Sequence, residues 1–253
     1  MTNHFEKHNV MHVSPSLLNL WISQPAMAML RIAGFKDNEA GPAAWRGQGV
    51  DKAAARAAFY PTTTEDSLIE LALDIFSEHQ DNATSDYDEK KLHTERSNIS
   101  DMTRNAAKFY RGIGETPVAS QGKVTTKLED IPVPMIGYFD LLYDDTVRDT
   151  KTVGRMTSKL SAAHARQCAF YAVATKVNNS FIDYVGKKEV KSFRVNNIDY
   201  WNRQNILAAK SLERVLSFSD DIFECCQLVF PDFDHWMWNE TTRDAARTVW
   251  NME

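Results

Sequence analysis

Apolar positions along this chain change period near residue 114, from the spacing of a helix to the alternation of a strand. In SPSLLNLWISQPAMAMLRIAG, Leu17, Leu18, Trp21 and Ile22 fall at helical spacing behind Ser14 as a cap and Pro15 in the first turn. This predicts a first helix broken near Pro25. AAWRGQGVDKAAARAAFY sets Gly47 and Gly49 ahead of an alanine-rich run, which predicts a second helix from about Val50 to just before Pro61. TTTEDSLIELALDIFSEH reads as a third helix with a threonine cap and Glu65 and Asp66 in its first turn. QDNATSDYDEKKLHTERSNIS is polar and aperiodic, a surface loop or a fraying helix, and ISDMTRNAAKFYRGIG returns to a helix that stops at glycines.

Beyond that point PVASQGKVTTKLED, VPMIGYFDLLY and TVRDTKTV are short, rich in Val, Thr and aromatics, and punctuated by Gly122, Pro132, Pro134 and Asp144-Asp145. They predict three strands in a meander. A threonine-capped helix follows in TSKLSAAHARQCAFYAVATKV, then a hairpin turning at Gly186-Lys187, then the long amphipathic helix NIDYWNRQNILAAKSLERVLSF. The tail VFPDFDHWMWNETTRDAARTVWNME is aromatic and then helical. With no repeat and no linker, the pattern predicts one α/β domain over 1–253: a mainly helical part at 14–113, a core at 114–218 and a tail at 219–253.

Composition changes this picture little. A chain of 253 residues, 43% hydrophobic and 25% charged, buries a sizeable core, and a net charge of -5 argues against coating nucleic acid over its whole surface. A local basic channel stays compatible with it. Cys168, Cys225 and Cys226 form no CxxC pair, which disfavours a disulfide scaffold or a cysteine zinc site. The amino terminus lacks the apolar run of a secretory signal, and no stretch approaches the roughly 18 apolar residues of a membrane span. A reduced, cytoplasmic setting without membrane attachment is the expectation.

The chemistry concentrates in MIGYFDLLYDDTVRDTK. Turn preference explains Asp144 and Asp145. It explains Asp140, inside an apolar run, poorly. Asp149 and Lys151 are two apart on a strand and project from one face, and a hairpin register setting Asp140 opposite them would gather two carboxylates and an ammonium. Such carboxylates repel unless a cation lies between them, and hard oxygen ligands suit Mg²⁺ or Mn²⁺. Lys151 would then position or activate a water and stabilise charge developing at phosphorus, as in metal-assisted phosphodiester hydrolysis. An exposed charge pair on an edge strand is the alternative for Asp149 and Lys151.

Gly137-Tyr138-Phe139-Asp140, the turn, and Asp149-Thr150-Lys151 resemble the G-x-x-D and D-x-K strands of the PD-(D/E)XK nuclease superfamily, in its RecB-like exonuclease branch. Gln167 to Tyr171 is similar to the QxxxY motif that follows in that branch, and residues four apart share a helix face. Taken alone, the pair reads as a core tyrosine beside an incidental glutamine. SPSLL resembles the branch's opening S-x-S-x-L helix, and Arg46 to Asp51 the helix start that gives the metal a histidine or glutamate. Here that position holds Asp51, which is otherwise an ordinary acid in a helix's first turn.

The resemblance implies a restriction-endonuclease-like α/β core with a small mixed sheet flanked by helices. It implies Asp140, Asp149 and Lys151 as catalytic residues, Asp51, Asp140 and Asp149 as ligands of Mg²⁺ or Mn²⁺, and Gln167 and Tyr171 as support at the DNA. The activity implied is that of an exonuclease processing DNA ends in replication, recombination or repair, with a structure- or site-specific endonuclease or a catalytically silent DNA-binding protein as rivals. Compact members are frequent in bacteriophages, which would set the protein in a host cytoplasm. A second copy or a replication or recombination protein stays open as a further partner. The cysteines cannot supply the set that holds an iron–sulfur cluster in some relatives, so none is expected.

Other features fit less tightly. Arg155, Lys159, Lys176, Lys187, Lys188, Lys191 and Arg194 crowd the segment around the last motif and would line a phosphate groove or a solvated face. Trp236, Trp238, Phe230 and Phe233 suit packing of the tail better than base stacking. His164, on the face of Gln167 and Tyr171, suits a structural role.

Overall fold

The computed structural model describes residues 3–35, 40–85 and 87–252. In chain order the elements are α1 (His4–Lys7), α2 (Pro15–Ser23), α3 (Pro25–Ile32), α4 (Pro42–Phe59), α5 (Glu65–Asp81), α6 (Glu89–Ser97) and α7 (Ile99–Gly112), then β1 (Ala119–Lys127), β2 (Pro134–Tyr143) and β3 (Thr146–Thr152). After these come α8 (Ala162–Thr175), β4 (Asn179–Val185), β5 (Val190–Arg194), α9 (Ile198–Leu216), α10 (Ile222–Cys226) and α11 (Glu240–Trp250). The strands form one sheet in the order β1-β2-β3-β4-β5. β2 and β3 pair antiparallel, β3 and β4 parallel across α8, and β4 and β5 antiparallel, so the sheet is mixed as expected.

Most helix expectations hold for the reasons given. Ser14 accepts the Leu17 amide as a cap, Pro25 divides α2 from α3, and Thr64 caps α5. The second helix does not. It starts at Pro42 rather than near Val50 and carries both glycines inside it. A Cβ built on Gly49 would lie 2.4 Å from the carbonyl oxygen of Ala72, so the glycine lets α4 and α5 approach closely rather than ending a helix. Gly49→Ala is therefore expected to cost about 1–3 kcal/mol through overpacking, read as a fall of several degrees in thermal midpoint.

The polar stretch after α5 contains α6, which buries none of its residues, and so the helical alternative is the one realised there. The helix of the QxxxY motif is preceded by Ser161 rather than a threonine; the Thr157 hydroxyl instead donates to the Lys159 carbonyl.

The chain forms two compact units, neither continuous in sequence: residues 1–38, 123–137 and 197–253 in one, and 39–122 and 138–196 in the other. In the first, α1, α2, α3, α9, α10 and α11 enclose a core that includes Leu18, Met29, Leu212 and Leu216. Trp238 is buried there, edge-to-face with Phe233 at 5.3 Å and donating to Gln24 at 3.2 Å. That is packing, as expected for the tail, whereas Trp236 and Phe230 are exposed. The second unit holds α4 to α8 and most of the sheet. Alanines of α4 pack with Met102, Ala106 and Tyr110 of α7 against Leu141, Tyr143 and Val185 of the sheet.

Candidate active site

Strand alternation sorts β3 into two faces. Val147, Asp149 and Lys151 lie on one, and Arg148, Thr150 and Thr152 on the other. The register Leu141↔Arg148, Leu142↔Val147 and Tyr143↔Thr146 makes Asp140 and Asp149 the next opposed pair, one step beyond the last bonded one. The ladder stops there, and the Asp140 side chain takes over: its Oδ2 accepts the Thr150 amide at 2.7 Å. An aspartate in an apolar strand thereby satisfies a backbone donor where the two strands part.

Asp149 is buried, and Lys151 Nζ lies 2.5 Å from its Oδ2. That oxygen is shielded from solvent and accepts no hydrogen bond of good geometry, so the ammonium charge is what it meets. From α8, Gln167 Nε2 donates to Asp149 Oδ1 at 3.3 Å and to the Tyr171 hydroxyl at 2.8 Å. From α4, Asp51 comes within electrostatic reach of Asp149 and Lys151, its Oδ2 accepting Gln121 Nε2 at 2.9 Å. All six residues singled out in the sequence thus belong to one neighbourhood.

The charges there are out of balance. Burial and then Asp149 push the Asp51 carboxyl up to about 6. Burial, then Asp149 and Asp51, push Asp140 well above the usual carboxylate range. Burial opposes the charge on Lys151, but Asp149 and Asp140 outweigh it and hold the ammonium above an ordinary lysine. Lys151 is therefore a fixed cation at neutral pH, not a base.

The folded chain holds the protons of Asp51 and Asp140 more tightly than an unfolded chain with carboxyls near 4, so folding stability is lost as pH rises from about 4 through the Asp51 value of about 6. Asp140→Asn keeps an acceptor for Thr150 and removes one repelling charge. In a chelator at pH 7 its thermal midpoint is expected above wild type by about 2–4 °C per kcal/mol gained, and the gap should close towards pH 4.

Excess negative charge on hard oxygens, with one buried carboxylate oxygen lacking a hydrogen bond, fits a small divalent cation in charge and donor type. The spacing is not that of a finished cage: among the described residues no group of three or more His, Cys, Asp or Glu side chains is arranged to hold a metal ion.

Two features around the site escaped the sequence. Gln121, which clamps Asp51, has a left-handed φ of 49° inside β1, an uncommon conformation for a residue with a side chain. The next residue, Gly122, lies so close to Phe139 that a Cβ would come within 2.3 Å of the ring. On the other face of β3, Arg148 meets Asp183 through Nε at 2.7 Å and Nη2 at 2.8 Å. Tyr110 donates to the same carboxylate at 3.0 Å and shares a 2.6 Å hydrogen bond with Thr150. An aspartate in the apolar run SFIDYV was the available signal for Asp183, and nothing local marks Gln121.

In overall architecture this chain is similar to a crystal structure from Eubacterium rectale described as a "putative exonuclease", at a TM-score of 0.57 over 96% of this chain and 92% of that one, with 15% identity. The two share a fold. A second solved structure, SSO0001, aligns at a TM-score of 0.33 and 8% identity over 72% of this chain and 83% of its own, too loosely to carry weight. No protein-family model matches the chain, and no curated protein does.

The remaining expected residues divide. His164 Nδ1 shares a 2.7 Å hydrogen bond with the Tyr184 hydroxyl, and burial followed by Lys151 lowers its pKa, in keeping with a structural role. Arg46 is buried against Glu95 and donates to Thr152 at 3.3 Å. Lys191 pairs with Glu189 at 3.2 Å and Arg194 donates to Asn179 at 2.7 Å, while Arg155, Lys159, Lys176, Lys187 and Lys188 are exposed. Among the described residues, no helix is long and apolar enough to cross a membrane. The cysteines are free and buried.

Proposed function

We propose that this protein is a Mg²⁺- or Mn²⁺-dependent deoxyribonuclease of the PD-(D/E)XK superfamily's RecB-like branch, acting as an exonuclease on DNA ends. The observation that carries the reading is the convergence of Asp51, Asp140 and Asp149 on Lys151, with more negative charge than Lys151 alone offsets. The shared fold with a protein described as a "putative exonuclease" supports it.

Asp140, Asp149 and Asp51 would hold the metal ion, which when bound supplies Lewis acidity to a phosphate oxygen and acidifies a water. Gln167 fixes the Asp149 carboxylate, and its second contact ties Tyr171 to the same point. Lys151, cationic at neutral pH, stabilises negative charge growing on the phosphate.

The test uses end-labelled linear duplex and covalently closed circular DNA with Mg²⁺ or Mn²⁺. Loss of the linear form alone is the expected result. Nicking of the circle would make the protein an endonuclease, and a gel shift with both forms intact would make it a silent DNA-binding protein.

A further inference from the structure

Beside the carboxylates, in the second unit, lies a groove of about 350 Å³ whose lining includes Lys52, Arg56, Phe59, Tyr60, Leu71 and Ser120. Lys52, Arg56 and Tyr60 are four residues apart in succession, so they form one stripe along α4 and its end. The other side of α4 is buried alanine, which leaves this stripe as the helix's polar face.

Three observations say what the groove would take. Lys52 and Arg56 are exposed cations, and neither is in an ion pair with a described carboxylate. Tyr60 is 57% exposed, with one face of its ring under the Arg56 guanidinium at 4.8 Å. The stripe also begins at the site, because Lys52 donates to Gln121 Oε1 while Gln121 donates to Asp51.

Successive cations one helical turn apart, about 5.4 Å, suit the phosphates of a flexible strand. An exposed, cation-braced aromatic ring suits an unstacked base. A base inside a duplex has both faces covered by its neighbours and cannot use the ring.

We infer that this groove receives a single-stranded DNA segment leading to the Asp51 end of the site, with phosphates on Lys52 and Arg56 and one base stacked on Tyr60. The inference rests on the nuclease reading and adds the substrate form: a single strand, or the frayed end of a duplex.

The test is fluorescence anisotropy in a chelator, with a labelled 12-nucleotide oligodeoxythymidylate and with a duplex dumbbell closed at both ends. Tyr60→Ala is expected to weaken binding of the single strand about 10-fold, to leave the dumbbell unchanged, and to be rescued by Tyr60→Phe. Arg56→Ala should reduce the salt dependence of single-strand binding by about 0.7 in log–log slope. Thermal midpoints of the variants establish folding, since Tyr60 and Arg56 are surface residues.

Unchanged single-strand affinity in Tyr60→Ala, or equal losses on both probes, would overturn the assignment. Wild-type hydrolysis with Mn²⁺, measured in parallel, separates the two failures. If wild type cuts DNA and the variants bind normally, the groove is wrong and the nuclease stands. If wild type neither binds nor cuts, both fall.

Discussion

Lys151→Ala is expected to slow Mn²⁺-supported hydrolysis of linear DNA by about 10²–10³-fold, the usual loss when one group that stabilises transition-state charge is removed. The expectation follows from position and charge together. Lys151 Nζ lies 2.5 Å from the buried Oδ2 of Asp149, and Asp149 and Asp140 hold its ammonium above an ordinary lysine. Its loss also strands the charge of Asp149, so a fall in rate could reflect damage rather than chemistry.

The thermal midpoint of Lys151→Ala, read beside its rate, separates the two causes, and adding Asp149→Asn to Lys151→Met tests the stranding of that charge alone. The double variant should regain part of the thermal midpoint that Lys151→Met loses, because the stranded charge of Asp149 is removed with its partner while Asp51 and Asp140 stay. Wild-type rates in Lys151→Ala would sink the assignment of this lysine.

The second large effect is structural and lies on the opposite face of β3. Asp183→Ala leaves the Arg148 guanidinium, buried between Phe181 at 4.5 Å and Phe109 at 5.4 Å, without its bidentate partner. Removing one member of a buried pair costs about 3–5 kcal/mol. The Tyr110 hydroxyl also loses an acceptor, though Thr150 remains to it. A fall in thermal midpoint of about 10 °C is expected, at about 2–4 °C per kcal/mol for chains of this size. Replacing both members, Arg148→Met with Asp183→Leu, should recover most of it, because well-packed apolar groups often match a buried pair in stability. A single variant as stable as wild type, by calorimetry or circular dichroism, would mean that the pair contributes little.

These two sets of residues were unequally legible. Asp149 and Lys151 stood out because side chains two apart on a strand share a face, a rule that needs no tertiary information. Asp140 stood out as a carboxylate in an apolar run, but its place one step beyond the Leu141↔Arg148 pair depended on a hairpin register that the sequence left open. Arg148 and Asp183 obey the same alternation, yet they are 35 residues apart in the chain, and only the parallel pairing of β3 with β4 joins them. Gln121 was invisible, since a left-handed residue within a strand has no sequence mark when it is not glycine.

The α4 boundary failed for a related reason. Glycine is a helix breaker by intrinsic propensity, but at Gly49 the approach of Ala72 decides its use, and that contact comes from another helix. Periodicity, capping residues and turn chemistry are local, acting within a few bonds. They determined the order of helices and strands, the hairpins, and which side chains share a face. Sheet order, helix contacts and the gathering of Asp51, Gln121 and Gln167 around Asp149 depend on segments far apart in sequence. They were decided only when burial drove those segments together and left the carboxylates close enough to repel.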